Sequence, residues 1–187
     1  MRYLINNKNE LFLLVIIPMI FLYRMIFFGE IVTTNDELER HPINEWIENY
    51  IGANDDVPQW YPNLFSGMPS YGGYIYMNGD PTKYIREEIL FNPGQRIWLY
   101  LVIWGIGMYV LLRFLGISKY SSLIGGLVSC LTPYTFGLIN AGHLNKIFAM
   151  AYIPWVIYSS LNLIRATNLK SILILSIFTA LQLWTNH

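Results

Sequence analysis

Charge is scarce in this sequence. Asp, Glu, Lys and Arg make up 13% of its 187 residues, about half of the roughly 25% found in an ordinary soluble domain. A water-facing surface on all sides is therefore not expected. The formal net charge is zero, so no bulk basicity points to nucleic acid, and none is expected as a partner. Cysteine is scarcer still. The single Cys130 lies in an apolar stretch, which excludes an intramolecular disulfide, suggests no thiolate metal cluster, and reads as small packing filler. There is no Walker loop, zinc motif, nucleophile elbow or dinucleotide fingerprint. What the chain has in quantity is apolar side chains, 54% of the total against about 45–50% typically.

Those side chains are grouped. An apolar helix needs about 20 residues to cross a hydrocarbon core of ~30 Å, and five windows approach that length. They run from Leu11 to Val32, Ile97 to Ile117, Tyr120 to Ile139, Ile147 to Ile164, and Ser171 to His187. The first is not read as a cleaved signal peptide. Its apolar run exceeds the usual 7–15 residues, and no small-x-small site follows Phe27-Phe28-Gly29-Glu30. The last window ends without a polar tail after Leu183-Trp184-Thr185-Asn186-His187, so the chain is expected to be the N-terminal part of a longer polytopic protein. Glycines at Gly105, Gly107, Gly125 and Gly126 are packing signals for close helix approach.

Charge placement predicts orientation. Arg2 and Lys8 precede the first window, Arg113 and Lys119 separate the second from the third, and Arg165 and Lys170 separate the fourth from the fifth. Alternate connections are thus basic. The positive-inside rule makes them and the N-terminus cytoplasmic, with the lipid bilayer as the chain's first partner. Ten of the twelve acids fall between the first and second windows, so residues 33–96 form the first extracytoplasmic loop. The fold class expected is all-α, a polytopic transmembrane bundle of about five spans with a large, partly helical outer loop.

That loop is too long to be a passive connection. Thr34-Asn35-Asp36-Glu37 has capping-box form, and Ile43, Trp46, Ile47, Tyr50 and Ile51 recur at helical spacing before Gly52. A helix over 35–51 is predicted, started or kinked by Pro42, with its apolar stripe on the membrane surface or the tops of the spans. Asp80-Pro81 predicts a second helix over 81–91, ending near Asn92-Pro93-Gly94. Between them, Val57 to Gly73 carries prolines, glycines and aromatics too densely for a regular element. Such a segment suits either a carbohydrate or lipid site with exposed ring faces or an interfacial aromatic belt.

Asp36 after the first window, Pro58-Gln59-Trp60 leading into Phe65-Ser66-Gly67-Met68-Pro69, then Gly142-His143-Leu144-Asn145-Lys146, and finally Ala180 to His187 resemble, in order, the YfhO family of bacterial membrane proteins. That family is similar to the GT-C glycosyltransferases, which take sugar from a polyprenyl-phosphate carrier at the outer membrane face. The resemblance implies a GT-C-like fold and a role in decorating cell-envelope polymers such as lipoteichoic acid. Its partners would be a polyprenyl-phosphate-linked sugar and an envelope glycan acceptor.

Such transfer needs a base for the acceptor proton, or a metal held by carboxylate, and cations for the leaving phosphate. The resemblance puts Asp36 in the first role. The cofactor is left unknown, a divalent metal on Asp36 being the one option named. Otherwise Asp36 is a first-turn acid favoured by the helix dipole. His143 and Lys146 lie where a phosphate headgroup would sit, although an interfacial lysine that snorkels to the headgroups is the plainer account of Lys146. Trp60 and His187 map to the same outer face as substrate-binding candidates. Arg24 lies inside the first window, where a charge costs at least ~2.5 kcal/mol and marks a pathway, a pair or a snorkelling side chain. Two alternatives stay open. A transporter or flippase for lipid or glycan would break its helices and place charge at midplane depth, and a non-catalytic envelope scaffold would tolerate loss of the Asp36 charge.

Overall fold

Four of the helices start on a side chain that caps them. The Asn92 carboxamide accepts from Gly94 N at 2.7 Å, with Pro93 at the first helical position, where a missing N–H costs nothing. Thr132 does the same for Thr135 N at 3.1 Å, again ahead of a proline, Pro133. Ser118 accepts from Ser121 N at 3.2 Å and Asn168 from Ser171 N at 3.0 Å. The computed structural model describes residues 7–30, 35–63, 65–70 and 92–185, with 35–41 described as backbone only. Within them the order is α1 (Lys8–Phe21), α2 (Tyr23–Phe27), α3 (Asn35–Asn54), β1 (Trp60–Tyr61), β2 (Met68–Pro69), α4 (Pro93–Phe114), α5 (Lys119–Cys130), α6 (Pro133–Asn140), α7 (Leu144–Arg165) and α8 (Leu169–Trp184). The predicted helix over 81–91 lies outside the described residues.

The chain is mostly helical, and three stretches are long and apolar enough to cross a membrane: Pro93–Phe114, Lys119–Asn140 and Leu144–Arg165. These suggest a membrane protein. The windows expected from hydropathy need four corrections. The first is divided at Leu22, one turn after Pro18, whose ring takes an N–H out of the helical ladder, and its helix stops at Phe27 rather than Val32, before the left-handed Gly29 (φ 66°). The second begins at Pro93 rather than Ile97, because Asn92-Pro93 is a start as well as a stop signal. The third is broken at Leu131-Thr132 before Pro133 into α5 and α6. The last helix has 16 residues and is shorter than a typical span. In the loop, α3 runs through Gly52 to Asn54. The aromatic segment holds a short antiparallel pair, Trp60 opposite Pro69 and Tyr61 opposite Met68, where no regular element is expected.

Helix α4 is the centre of the bundle. It is apolar all round, as a helix with neighbours on every side must be, and 56% of its span is buried against 33% for each of the other two. It packs on α1, α2, α5 and α7, and α7 in turn packs on α6 and α8. Gly105 of α4 meets Gly126 of α5 so closely that a Cβ on Gly126 would lie 2.7 Å from the Gly105 carbonyl oxygen. Leu14 of α1, fully buried, closes over both glycines. On the opposite side Trp155 of α7 lies on Gly107, donates from Nε1 to the Ile103 carbonyl at 2.8 Å, and stacks on Phe178 of α8 at 4.9 Å. One indole thus joins three helices. Trp98 of α4 similarly donates to the Val15 carbonyl of α1 at 3.0 Å, beside the turn that Pro18 disturbs.

The two ends of the bundle are held by different contacts. At one end the buried Glu10 carboxylate pairs with Lys119 Nζ at 3.1 Å, and Arg165 donates to the Phe114 carbonyl at 3.4 Å with its guanidinium 4.0 Å from that ring. Asn162 reaches Ser171 at 3.1 Å across the α7–α8 connection, so Lys170 stands at this Glu10 end too. At the opposite end, Asn92 reaches the Ile26 carbonyl at 3.4 Å, Phe21 meets Phe136 at 6.0 Å, and Gln182 donates to the Ala149 carbonyl at 3.3 Å. The chain turn at His143 lies at that end.

Gly126→Val should force α4 and α5 apart and cost about 1–3 kcal/mol, the usual range for overpacking, whereas Gly137→Ala, which meets nothing within 4 Å, should be neutral or stabilising. Thermal midpoints in micelles compare the two. A Gly126→Val protein as stable as the parent would mean that the crossing is loose.

A hydrogen bond from its own backbone N–H, then one from Lys119, holds the Glu10 carboxyl below its ordinary range. Its folded pKa is depressed, so its contribution to stability is complete above the unfolded pKa of about 4.3 and is lost as pH falls through the lower folded value. The gap in thermal midpoint between the parent and Glu10→Gln should therefore be constant near neutrality and close in acid. A gap that widens in acid would show the opposite shift.

Candidate functional site

The turn between α6 and α7 is fixed by its backbone. Gly142 takes a left-handed φ of 78°, its N–H bonds to the Ile139 carbonyl at 3.2 Å, and His143 N–H bonds to the Leu138 carbonyl at 3.0 Å. His143 then stands at the N-cap of α7 with its side chain exposed and not capping the helix. Lys146 follows three residues later, on the same face, and its ammonium lies 5.4 Å from the centre of the Tyr134 ring on α6. No acid occupies the first turn of α7.

That arrangement is electrostatically unusual. A helix N-terminus carries about half a positive charge, and the favourable neighbour there is an acid. Here the neighbours are a lysine and an imidazole. The positive pole and Lys146 add rather than cancel, which is the electrostatics of an anion site. Tyr134, which keeps the ammonium in place, is half exposed. Sequence reasoning picks out His143 and Lys146 but has no access to Tyr134, because the pair forms across two helices.

Arg24 has a different environment. It sits in the last turn of α2, and Gly29 folds the chain back so that Glu30 Oε1 lies 2.7 Å from Arg24 Nη2 and 3.0 Å from Nε. Both side chains are largely exposed. Its charge is met locally by Glu30, a pairing worth about 0–1 kcal/mol at an exposed site. Of the readings open for Arg24, the structure gives the pair.

Trp60 lies on the short hairpin. Phe65, Ser66 and Gly67 all take positive φ (49°, 62° and 112°), a tight reversal that a glycine accepts and the other two residues bear as strain. The Trp60 indole rests on Gly67, where a Cβ would fall 2.7 Å from Cζ2. Ser70 ties the base of the hairpin, its hydroxyl donating to the Pro58 carbonyl at 2.5 Å and its N–H to Gln59 at 3.1 Å. The next residue, Tyr61, is buried against Trp46 of α3 with ring centres 5.4 Å apart. The apolar stripe of α3, expected to lie on the membrane or the span tops, thus turns part of its length onto the hairpin. Beside this contact is a pocket of about 220 Å³.

Asp36 is the second residue of α3, in its first turn; its carboxylate lies outside the described residues, as does His187. The structure therefore places His143 and Lys146 three residues apart at the start of α7 and sets Arg24 and Asn92 at the same end of the bundle, while the Asp36 carboxylate lies outside the described residues. Among the described residues no three His, Cys, Asp or Glu side chains gather to hold a metal ion. Compared with protein-family models, curated proteins and solved structures, the chain shows no match to any of them.

Proposed function

We propose that this chain belongs to a membrane glycosyltransferase that moves a sugar from a polyprenyl-phosphate carrier to an envelope acceptor at the His143 end of the bundle. The observation that carries the proposal is the α7 N-terminus, where Lys146 and His143 add to the positive helix pole with no acid in the first turn. A phosphate is the ligand such an end attracts most strongly. The resemblance to the YfhO family supplies the rest of the reading, including the GT-C-like fold.

In the reaction, the Asp36 carboxylate takes the proton of the acceptor hydroxyl as its oxygen attacks the anomeric carbon of the sugar. The bond from that carbon to the phosphate oxygen breaks, and the polyprenyl phosphate leaves with the bonding electron pair. Lys146 and His143 stabilise the charge on the leaving phosphate. Five spans serve this reading. Together α1 and α2 extend about 30 Å at 1.5 Å per residue, and α8 adds a shorter fifth. The Glu10 end, with Lys8, Arg113, Lys119, Arg165 and Lys170, is cytoplasmic by the positive-inside rule, and the His143 end faces out from a bacterial inner membrane.

A second reading has a specific observation behind it. Two apolar stretches are broken, at Leu22 and at Leu131-Thr132, and the breaks are neighbours, since Phe21 and Phe136 touch. Discontinuous helices side by side are a feature of transporters. A lipid or glycan flippase would move its cargo across vesicles without forming a glycosidic bond, so product analysis separates the two.

In a Cys130→Ala background, cysteines at Ser66 and Asn145 should react with an impermeant thiol reagent added outside intact cells, and one at Ser118 should not. The reverse pattern would overturn the orientation and the catalytic reading with it.

Lys146→Ala should reduce sugar transfer by about 100-fold or more, in line with the loss of one charge-stabilising donor. Asp36→Asn should abolish transfer, with membrane levels unchanged for both. Full transfer by either variant would refute the assignment, and labelled lipid reaching the opposite leaflet with no transfer product would favour the flippase.

A further inference from the structure

The hairpin does more than display Trp60, because it closes a pocket against α3. Pro42, Ile43 and Trp46 line it from the helix, and Tyr61, Pro62 and Asn63 from the hairpin, around a volume of about 220 Å³. Residues 42, 43 and 46 fall within one helical turn and share a face. The sequence makes the pocket by placing a proline on each side, and a proline has little conformational freedom to lose when a ligand arrives. Tyr61 is held by burial, 2% exposed, and the planes of Trp46 and Tyr61 are tilted by 54°. Two rings at that angle leave a wedge between them where a parallel stack would leave none.

Three features define what fits the wedge. No charged side chain is among the described walls, where a phosphate or carboxylate would lose its hydration without gaining a partner. The volume is below the about 300–1,000 Å³ of pockets for drug-sized ligands, which limits the occupant to a single ring. Among the described walls, Asn63 is exposed, and its amide offers both a donor and an acceptor. An acyl chain has no use for that amide. A pyranose ring does, because its C–H face is apolar and stacks on an aromatic plane while its hydroxyl edge needs hydrogen bonds of both kinds.

We infer that the Trp46–Tyr61 pocket binds one neutral pyranose ring, Trp46 stacking on its C–H face and Asn63 bonding its hydroxyl edge. The inference rests on the walls of this pocket and not on Asp36 or the transfer reaction, so a chain that binds the ring without transferring sugar would leave it intact.

The test is saturation-transfer NMR on the whole protein in a zwitterionic detergent without a sugar headgroup. The probes are the methyl glycosides of glucose, galactose and N-acetylglucosamine, with octyl glucoside as a fourth. The ring C–H protons of at least one methyl glycoside should receive saturation. The signal should drop by about tenfold or more in Trp46→Ala, the loss of one aromatic stacking partner. Because Trp46→Ala also removes a contact that seats the hairpin, Ile43→Trp serves as a second variant; it fills the pocket, keeps Trp46 and Tyr61, and should abolish the signal as well. No transfer to any of the three methyl glycosides, an undiminished signal in Ile43→Trp, or saturation confined to the alkyl chain of octyl glucoside would each overturn the proposal.

Discussion

The crossing of α4 and α5 at Gly105 and Gly126 is the constraint on which the other contacts depend. In a bilayer, apolar burial between helices gains nothing over contact with lipid tails, so association rests on close packing and on hydrogen bonds worth about 0.6 kcal/mol each on average. Two glycines let backbone meet backbone, and Leu14 then fits the notch above them with Cys130 filling the floor. With α1 seated there, its first turn is brought to the start of α5. Glu10 and Lys119 pair because the glycines are small.

On the other side of α4 the logic is repeated with a large residue in place of a small one. Gly107 leaves the space into which Trp155 lays its indole, and the indole N–H finds the Ile103 carbonyl. A buried indole with an unpaired N–H would cost free energy in lipid; a helix carbonyl with a spare lone pair is a partner always at hand. Trp155 then offers its outer face to Phe178, and α8 attaches to the bundle through that ring. The order of the helices follows from α4 outward, with a glycine on each of its faces deciding what may approach.

Much of the helical architecture was legible in the sequence, since long apolar runs need only composition and spacing. The helix limits were less so. Asn92-Pro93 has the form of an end to the preceding segment, whose residues lie outside the described ones, and the same two residues cap α4. Pro133 was a visible breaker inside an otherwise continuous window, and hydropathy averaging passes over it. Gly52 read as a stop, yet α3 continues to Asn54 before Asp55 turns the chain, because one glycine in a helix costs only about 1 kcal/mol. At the candidate site, His143 and Lys146 were recognisable as polar residues in an apolar setting. Tyr134 and the Glu30 partner of Arg24 were not, as each depends on a turn or helix pairing with no period in the sequence. Trp46 belongs to the helical stripe that the sequence predicts, and its contact with Tyr61 is not legible there, since periodicity gives the face and not its neighbour.

The energetics of the α7 N-terminus explain how a lysine can stand at the positive pole of a helix without being neutralised. A cation in the first turn opposes the macrodipole by about 0.3–1 kcal/mol. An exposed cation–π contact returns about 0.5–1 kcal/mol, and Tyr134 makes one at 5.4 Å. The two are of equal size and opposite sign, so Lys146 is held in place at almost no net cost to the fold. An aspartate there would have made a more stable helix and cancelled the charge. The aromatic ring does something an acid cannot: it fixes the position of the ammonium while leaving its full charge to an incoming anion. Since a π face satisfies none of the three ammonium N–H donors as a carboxylate would, a phosphate that reaches this end adds to the tyrosine contact with no acid of the first turn of α7 competing for the ammonium.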